Sequence, residues 1–389
     1  MEYIDGIKSW LPSSQMEYGV LEQVRAVSQL PFIFKNVGVM PDAHVGIGAC
    51  VGTVVATERA VVPSIVGVDI GCGVYWAQTS IMEKDLPSDL KPLREKIESK
   101  IQLGHGKGNS NISKTALNYI KSLEGLAGNR LKHYDTMGTD WRSQLGSLGG
   151  GNHFIEIVCD DDGYVGGFLH SGSRGIGNKT ATGHIAIASK LMEKMFIQVP
   201  NKDLGYLVED TEEFNKYIAD MQWCQQYAYY NRCEMMDRLM EAMTEIMGEG
   251  FAVNDSVHHH HNFTNKENHF GRNIWVTRKG AVRAREGDRG LLPVAMGQPS
   301  YIVEGLGNKE SFCTAPHGAG RKMARGQAKR ELDYNKLVEQ MDGVEWNPKE
   351  SVLDEAPDAY KPANQVLENA AELIKPVGTL RPLINIKGA

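Results

Sequence analysis

Between Pro31 and Ser80 the chain repeats one arrangement, a short apolar run closed by glycine, in PFIFKNVGVM, GIGACVGTVVAT and AVVPSIVGVDIGCGVYWAQTS. Short apolar runs bounded by glycine are the pattern of buried strands joined by tight turns. A second block of this kind spans residues 145–178, with LGSLGGGNHFIEIV and GGFLHSGSRGIGN, and holds the densest group of potential site residues. Between the blocks, from about Leu86 to Glu124, the pattern turns polar and helical, and LKPLREKIESKI is its clearest amphipathic piece. A long helix is predicted over 211–248, with Thr211 as its cap and a glycine closing it. Its Met235, Met236, Met240, Tyr229 and Tyr230 read as core rather than as a cofactor box. Strands resume at IWVTRKGAVRAR and SYIVEGLG, followed by helix-like HGAGRKMARGQAKREL and a last helix around ANQVLENAAELI. With no internal repeat and no obvious linker, the expectation is an α+β fold: a single mixed domain over residues 1–389, central β-sheets flanked by helices.

A chain of 389 residues with 41% hydrophobic and 23% charged residues buries a sizeable core. No stretch reaches the roughly 18 uninterrupted apolar residues of a membrane span. The opening MEYIDGIKSW has neither a basic nor an apolar leader segment, so no membrane partner and a cytoplasmic location are expected. Six cysteines lie scattered without a CxxC pair, which makes a special cysteine a ligand or nucleophile rather than a staple. The net charge of −6 argues against nonspecific adhesion to nucleic acid over the whole surface and leaves room for a local basic groove.

The stretch Val66-Gly-Val-Asp69-Ile-Gly-Cys72-Gly sets a carboxylate and a thiol three residues apart among glycines. An ionised aspartate at the end of so apolar a run needs a partner. On that motif alone, a turn aspartate beside a small buried cysteine accounts for the residues equally well. Histidines shift the balance: His153 beside Asn152, His170 in LHSGSRG, and the run His258 to His261 before Asn262. Thiolate, imidazole and carboxylate together suit manganese, zinc or iron. Of the four consecutive histidines at most one or two can face one metal, the others being supporting or exposed, because neighbouring strand residues point to opposite sides. His317, in Pro316-His317-Gly-Ala-Gly-Arg321, is predicted at a turn that opens a helix, a natural anion site. It could bind phosphate, act as a base, or attack phosphorus. Arg321, Arg325 and Lys329 would share a helical face, and Arg283 and Arg285 a strand face, though a solvated charged face explains both at least as well. Arg174, surrounded by glycines, is the better anion candidate.

The blocks MPDAHVGIG, GVDIGCG, GGGNHFIEI, LHSGSRGIGN, HHNF, VTRKGA, SFCTAPHGAGR and IKGA together resemble the RtcB family of RNA ligases, in order from about Pro31 to Lys387. The resemblance implies an RtcB-like fold and a reaction that joins RNA 2′,3′-cyclic phosphate or 3′-phosphate ends to 5′-hydroxyl ends with GTP and two Mn2+ ions. It implies metal ligands Asp69, Cys72, His153, His170 and His261, with Cys72 bridging, and His317 as the guanylylated nucleophile assisted by Asp42 and Arg321. It places the nucleotide among Asn152, His153, Phe154, Ile155, Glu156, His261, Asn262, Pro293, Met296, Ser300, His317, Gly318, Ala319, Gly320, Tyr360 and Lys387, and RNA phosphate near Arg174 and Arg321. An activating protein partner stays open at this point. One departure stands out: Val294-Ala295-Met296-Gly297 replaces the family's Gly-Ser-Met-Gly, so a hydroxyl contact to the nucleotide is missing and Glu156 and Lys387 must carry guanine selectivity. The chain is also short for the family between Lys107 and Ser147, which points to repair of cleaved tRNA or rRNA rather than splicing. The rivals are a metal-dependent 2′,3′-cyclic phosphoesterase, which needs neither His317 nor Lys387, and a non-catalytic RNA end-binding protein, which would tolerate loss of Cys72, His261 or His317.

Overall fold

The computed structural model describes residues 1–248 and 250–388. Its strands are Glu2–Ile4 (β1), Ile7–Ser9 (β2), Ile33–His44 (β3), Val51–Thr57 (β4), Gly73–Met82 (β5), Phe154–Asp160 (β6) and Tyr164–Ser171 (β7). They continue with Val253–His260 (β8), Asn262–His269 (β9), Arg272–Lys279 (β10), Arg289–Leu292 (β11), Ser300–Gly305 (β12) and Ile374–Lys387 (β13). The helices that matter to the site are Lys91–Lys100 (α1), Lys114–Ala127 (α2), Arg174–Lys194 (α3), Glu212–Met247 (α4) and Arg325–Glu331 (α5). One sheet runs β1-β2-β3-β4-β10-β9; the other runs β8-β5-β7-β6-β13-β12-β11, with Glu345–Trp346 pairing parallel to β13. The α+β expectation holds.

The second sheet curls until its two ends meet, where Leu291 N donates to His259 Nε2 at 3.0 Å and Arg289 reaches Asp255 at 2.9 Å. Inside the curl Val74, Trp76, Phe154, Phe168, Val257 and Leu380 form one apolar cluster. The outer face carries Ile155, Ile157, Val165 and Leu169, which α4 covers with Met235, Met236 and Leu239. The alternation along β6 and β7 puts apolar groups on both faces, as a sheet buried on two sides requires. Gly167 permits the close approach of α4, since a Cβ there would lie 2.9 Å from Leu239 and Met236.

The α4 helix forms as its sequence predicts. Thr211 accepts from Phe214 N, the apolar residues recur at three and four, and Gly248 ends it in the left-handed conformation at φ 75°. Met235 and Met236 are core residues, whereas Tyr229 is partly exposed and stacks on His258 with ring centroids 4.1 Å apart. No helix among the described residues is long and apolar enough to cross a membrane.

Three local expectations fail. The segment after His317 is not helical: it runs through bends and α5 starts only at Arg325, because Gly320, at φ 72°, lies so close against the Asp42 backbone that a Cβ there would clash with it. Arg321 therefore shares no helical face with Arg325 and Lys329. The apolar stretch IWVTRKGAVRAR is broken at Gly280, φ 56°, so Arg283 ends a separate short strand that excludes Arg285. The last helix stops at Asn369, and β13 follows it. The prolines that hid this strand sit beside register shifts, where an extra residue interrupts the ladder and a missing N–H does no harm.

Candidate active site

The antiparallel register brings five strand ends to one place. His260 pairs with Gly73 and Gly73 with Ser171; one residue along, Val74 pairs with His170, His170 with Phe154 and Phe154 with Lys387. His261 is the single residue between β8 and β9, which belong to different sheets, so it stands where the two sheets meet. Its backbone ties the junction: His261 N donates to Cys72 O at 2.8 Å, and Ala281 N donates to His261 O at 3.1 Å. Asn262 secures the same corner by donating to Asp69 O at 3.0 Å and accepting from Gly280 N at 2.8 Å.

Cys72 belongs to two groups of donor atoms. Its Sγ lies 3.5 Å from His153 Nε2, which is itself 3.1 Å from Asp69 Oδ2; on its other side it lies 3.3 Å from His170 Nε2. His170 Nε2 and His261 Nε2 are 3.3 Å apart. Each triad, Asp69–Cys72–His153 and Cys72–His170–His261, is compact enough to hold one ion. Burial first, then the crowding of neighbouring histidines and the charges of Arg232 and, for His170, Lys387, hold His170 and His261 well below the usual imidazole range, so both carry free lone pairs. Burial, then Asp69, pushes the Cys72 thiol up; a nearby divalent cation reverses that balance. For Asp69 burial acts upward, but hydrogen bonding and charge from His153, with help from Cys72 and Ser173, outweigh it and leave the carboxyl lowered. His153 Nδ1 faces Leu148 O at 3.0 Å, which turns Nε2 toward the thiol. Gly172 has no Cβ because one would run into the Asp69 carboxylate. Soft and borderline donors with two triads sharing one sulfur fit a pair of transition-metal ions.

His258, His259 and His260 are half-buried, so of the two alternatives, supporting or exposed, they take the first. Arg232, fully buried on α4, explains why: its guanidinium meets His258 Nε2 at 2.8 Å, His260 Nδ1 at 3.0 Å, Gly71 O at 3.0 Å and Ser171 O at 2.7 Å. It fastens both strand ends behind Cys72. Its signal was a charge on the apolar stripe of α4, overlooked among the methionines.

A cavity of about 520 Å³ opens onto Asp69, Cys72, His170 and His261 and is also lined by Asn152, Phe154, Asn262, Pro293, Gly318 to Arg321, Arg325, Tyr360 and Lys387. His317 lines it, its ring centroid 4.6 Å from that of His261. The wholly buried Asp42 takes His317 Nδ1 at 2.7 Å and His317 backbone N at 3.2 Å on the same oxygen. On the neutral ring this contact makes Nδ1 the protonated nitrogen and leaves the lone pair on Nε2. His44, missed in MPDAH, lines the cavity beside Asp42; burial pulls its pKa down to about 4.

Other expected contacts fall elsewhere. Ile155 points into the core under α4, and Ser300 spends its hydroxyl accepting from Val294 N at 3.1 Å. Met296 borders a small neighbouring cavity shared with Asn385, Trp346 and Lys387, and Ala295 is buried. Glu156 is buried and accepts from Asn385 Nδ2 at 2.6 Å; burial pushes its carboxyl up to about 7. Arg174 does not line the cavity: it donates to Ser147 Oγ at 3.0 Å and Gly104 O at 3.2 Å. Arg321 is held by Glu355, a residue with no motif to announce it. Arg283 pairs with Asp288 away from the cavity.

A family model described as tRNA-splicing ligase RtcB matches residues 23–388. The RNA-splicing ligase RtcB of Escherichia coli (strain K12) is 38% identical over 396 residues, covering 98% of this chain and 97% of that protein. The tRNA-splicing ligases RtcB of Pyrobaculum aerophilum and Archaeoglobus fulgidus are 30% and 29% identical, covering 95% and 96% of this chain and 91% and 92% of their own lengths.

Proposed function

The chain belongs to the RtcB family and is an RNA ligase, and from that premise we propose that it joins 2′,3′-cyclic phosphate or 3′-phosphate ends to 5′-hydroxyl ends through a guanylate carried on His317. The observation that carries this reading is the Asp42–His317 hydrogen bond at 2.7 Å, set beside the His261 ring in one cavity. A hydrolase of cyclic phosphates would use the same imidazole as a general base, so a guanylate carried on His317 is what separates the two readings. We take residues 1–389 as one catalytic domain acting in the cytoplasm on broken tRNA or rRNA.

The two triads around Cys72 would hold two manganese ions, which supply charge stabilisation at phosphate oxygens when bound. The chain's own groups do the rest. Asp42 keeps the Nδ1 proton in place, so the Nε2 lone pair attacks the α-phosphorus of GTP; an N–P bond forms, the bond to pyrophosphate breaks, and the ring becomes cationic against the carboxylate. An oxygen of the RNA 3′-phosphate next takes the guanylyl group and returns the ring to neutrality. The 5′-hydroxyl then attacks the RNA phosphorus, gives up its proton and expels GMP. A cyclic phosphate is first opened by water. Asn152, Phe154, Asn262, the Gly318–Gly320 turn and Tyr360 border the nucleotide; Lys387, on the same wall, reads guanine together with Glu156, whose carboxylate lies behind the wall against Asn385 until a base draws on it.

Incubation with manganese and α-labelled GTP leaves label on the wild-type protein, and His317→Ala carries none. An unlabelled wild type that still hydrolyses a cyclic phosphate turns the reading into a phosphoesterase.

A further inference from the structure

Glu355 is 3% exposed, yet three side chains of the cavity wall converge on it. Its Oε2 accepts from Tyr360 Oη at 2.6 Å and from Lys387 Nζ at 3.1 Å; its Oε1 accepts from Arg321 Nη1 at 3.0 Å. Arg321 also donates to Tyr360 Oη at 3.1 Å and lies 4.9 Å above that ring. The three partners come from the turn after His317, the segment after Glu355 and the end of β13, so one carboxylate joins three distant pieces of chain. Burial acts against its ionisation, but Lys387, Arg325 and Arg321 outweigh it and hold the acid at about 2, a permanent anion.

Lys387 has the most to gain. Its ammonium sits on a flexible four-carbon stem, and among the described residues Glu355 is its only hydrogen-bond partner. It lines both the main cavity and the small neighbouring one, and its Nζ lies 5.5 Å from the centre of the Phe154 ring. With Ala295 where the family has a hydroxyl, the reading of guanine falls to Glu156 and to Lys387, whose ammonium Glu355 holds. We infer that Glu355 is a positioning residue for base selectivity: it fixes Lys387, and through Tyr360 and Arg321 the cavity wall beside it, in the arrangement that prefers guanine. This rests on the nucleotide reading above and adds the residue that sets it.

The test is calorimetric titration of the full chain with GMP and with AMP, for wild type, Glu355→Gln, Lys387→Met and the double variant, each first checked by its thermal midpoint. The wild type prefers GMP. Glu355→Gln, which keeps shape and loses charge, is expected to weaken GMP about tenfold with AMP binding within about twofold of wild type. The double variant binds GMP no more weakly than Lys387→Met alone, because the acid acts through the lysine. Wild-type preference in Glu355→Gln overturns the inference, as does a double variant whose loss is the sum of the two single losses. If Glu355→Gln does not fold, Glu355→Asp, which draws the carboxylate back by one methylene, must show a reduced preference, and an unchanged one overturns it. A wild type indifferent to the base removes the guanine reading and this inference with it, while label transfer to His317 reports separately on the chemistry.

Discussion

Asp42→Asn separates two roles of the aspartate that the geometry otherwise merges. Asp42 meets His317 through one oxygen, which takes both the ring Nδ1 and the backbone N; the other oxygen is buried without a partner. An asparagine has two ways to fit. With its amide nitrogen toward the ring it would have to face the His317 backbone N–H, donor against donor, so the amide oxygen takes that place instead. The tautomer with a free Nε2 is then preserved, and what is lost is the negative charge beside a ring that turns cationic as the N–P bond forms. A charge-assisted hydrogen bond exceeds a neutral one by about 1.4 kcal/mol, and at a fully buried site no water screens the difference. Single-turnover transfer of label from saturating α-labelled GTP should therefore slow about tenfold. Had the amide turned the other way, the wrong tautomer would slow the step by about 10⁴-fold. A rate within about twofold of wild type refutes the electrostatic role, and a loss beyond about a thousandfold refutes the orientation argument.

Cys72→Ala should fold and lose bound manganese by elemental analysis, since the sulfur is common to both triads; unchanged content removes the shared-ligand reading. If Glu156 reads guanine as proposed, it accepts both N–H groups of the base only when ionised, and burial holds its carboxyl up at about 7. GMP should therefore bind about tenfold more tightly at about pH 8 than at about pH 6, and Glu156→Gln should flatten the profile; a flat wild-type profile sinks the idea. The sign for stability is opposite: between the unfolded value of 4.5 and about 7 the folded state binds the extra proton, so this contribution is present at low pH and is lost as pH rises through about 7.

The parts of the site visible in the sequence were those set in short glycine-rich motifs at strand ends, although the segments that carry them lie far apart in the chain. Asp69 and Cys72 share one glycine turn, His153 opens β6, His170 closes β7, and each stands beside residues that advertise a strand end. Glu355 and Arg232 gave no such sign, because what makes them matter is three or four partners delivered by remote segments. The strand β13 was obscured by Pro376 and Pro382, which local propensity reads as breakers and which the ladder tolerates beside its bulges. The turn after His317 misled for the converse reason. HGAGR has the residues of a helix start, but the fit of Gly320 against Asp42, an effect of tertiary packing, decides the backbone there.

The place of β13 in its sheet bears on how the protein comes to life. It lies between β6 and β12, not at an edge, and its final residue, Lys387, faces the cavity. During synthesis this strand leaves the ribosome after every other element that furnishes the site. The growing chain must hold a gap open in the middle of a sheet, with strand edges exposed, until the last insert arrives. A nascent chain stalled before Ile374 holds Asp69, Cys72, His153, His170 and His261 but not Lys387. The wall of the cavity is therefore complete only once the final strand has taken its place in the sheet.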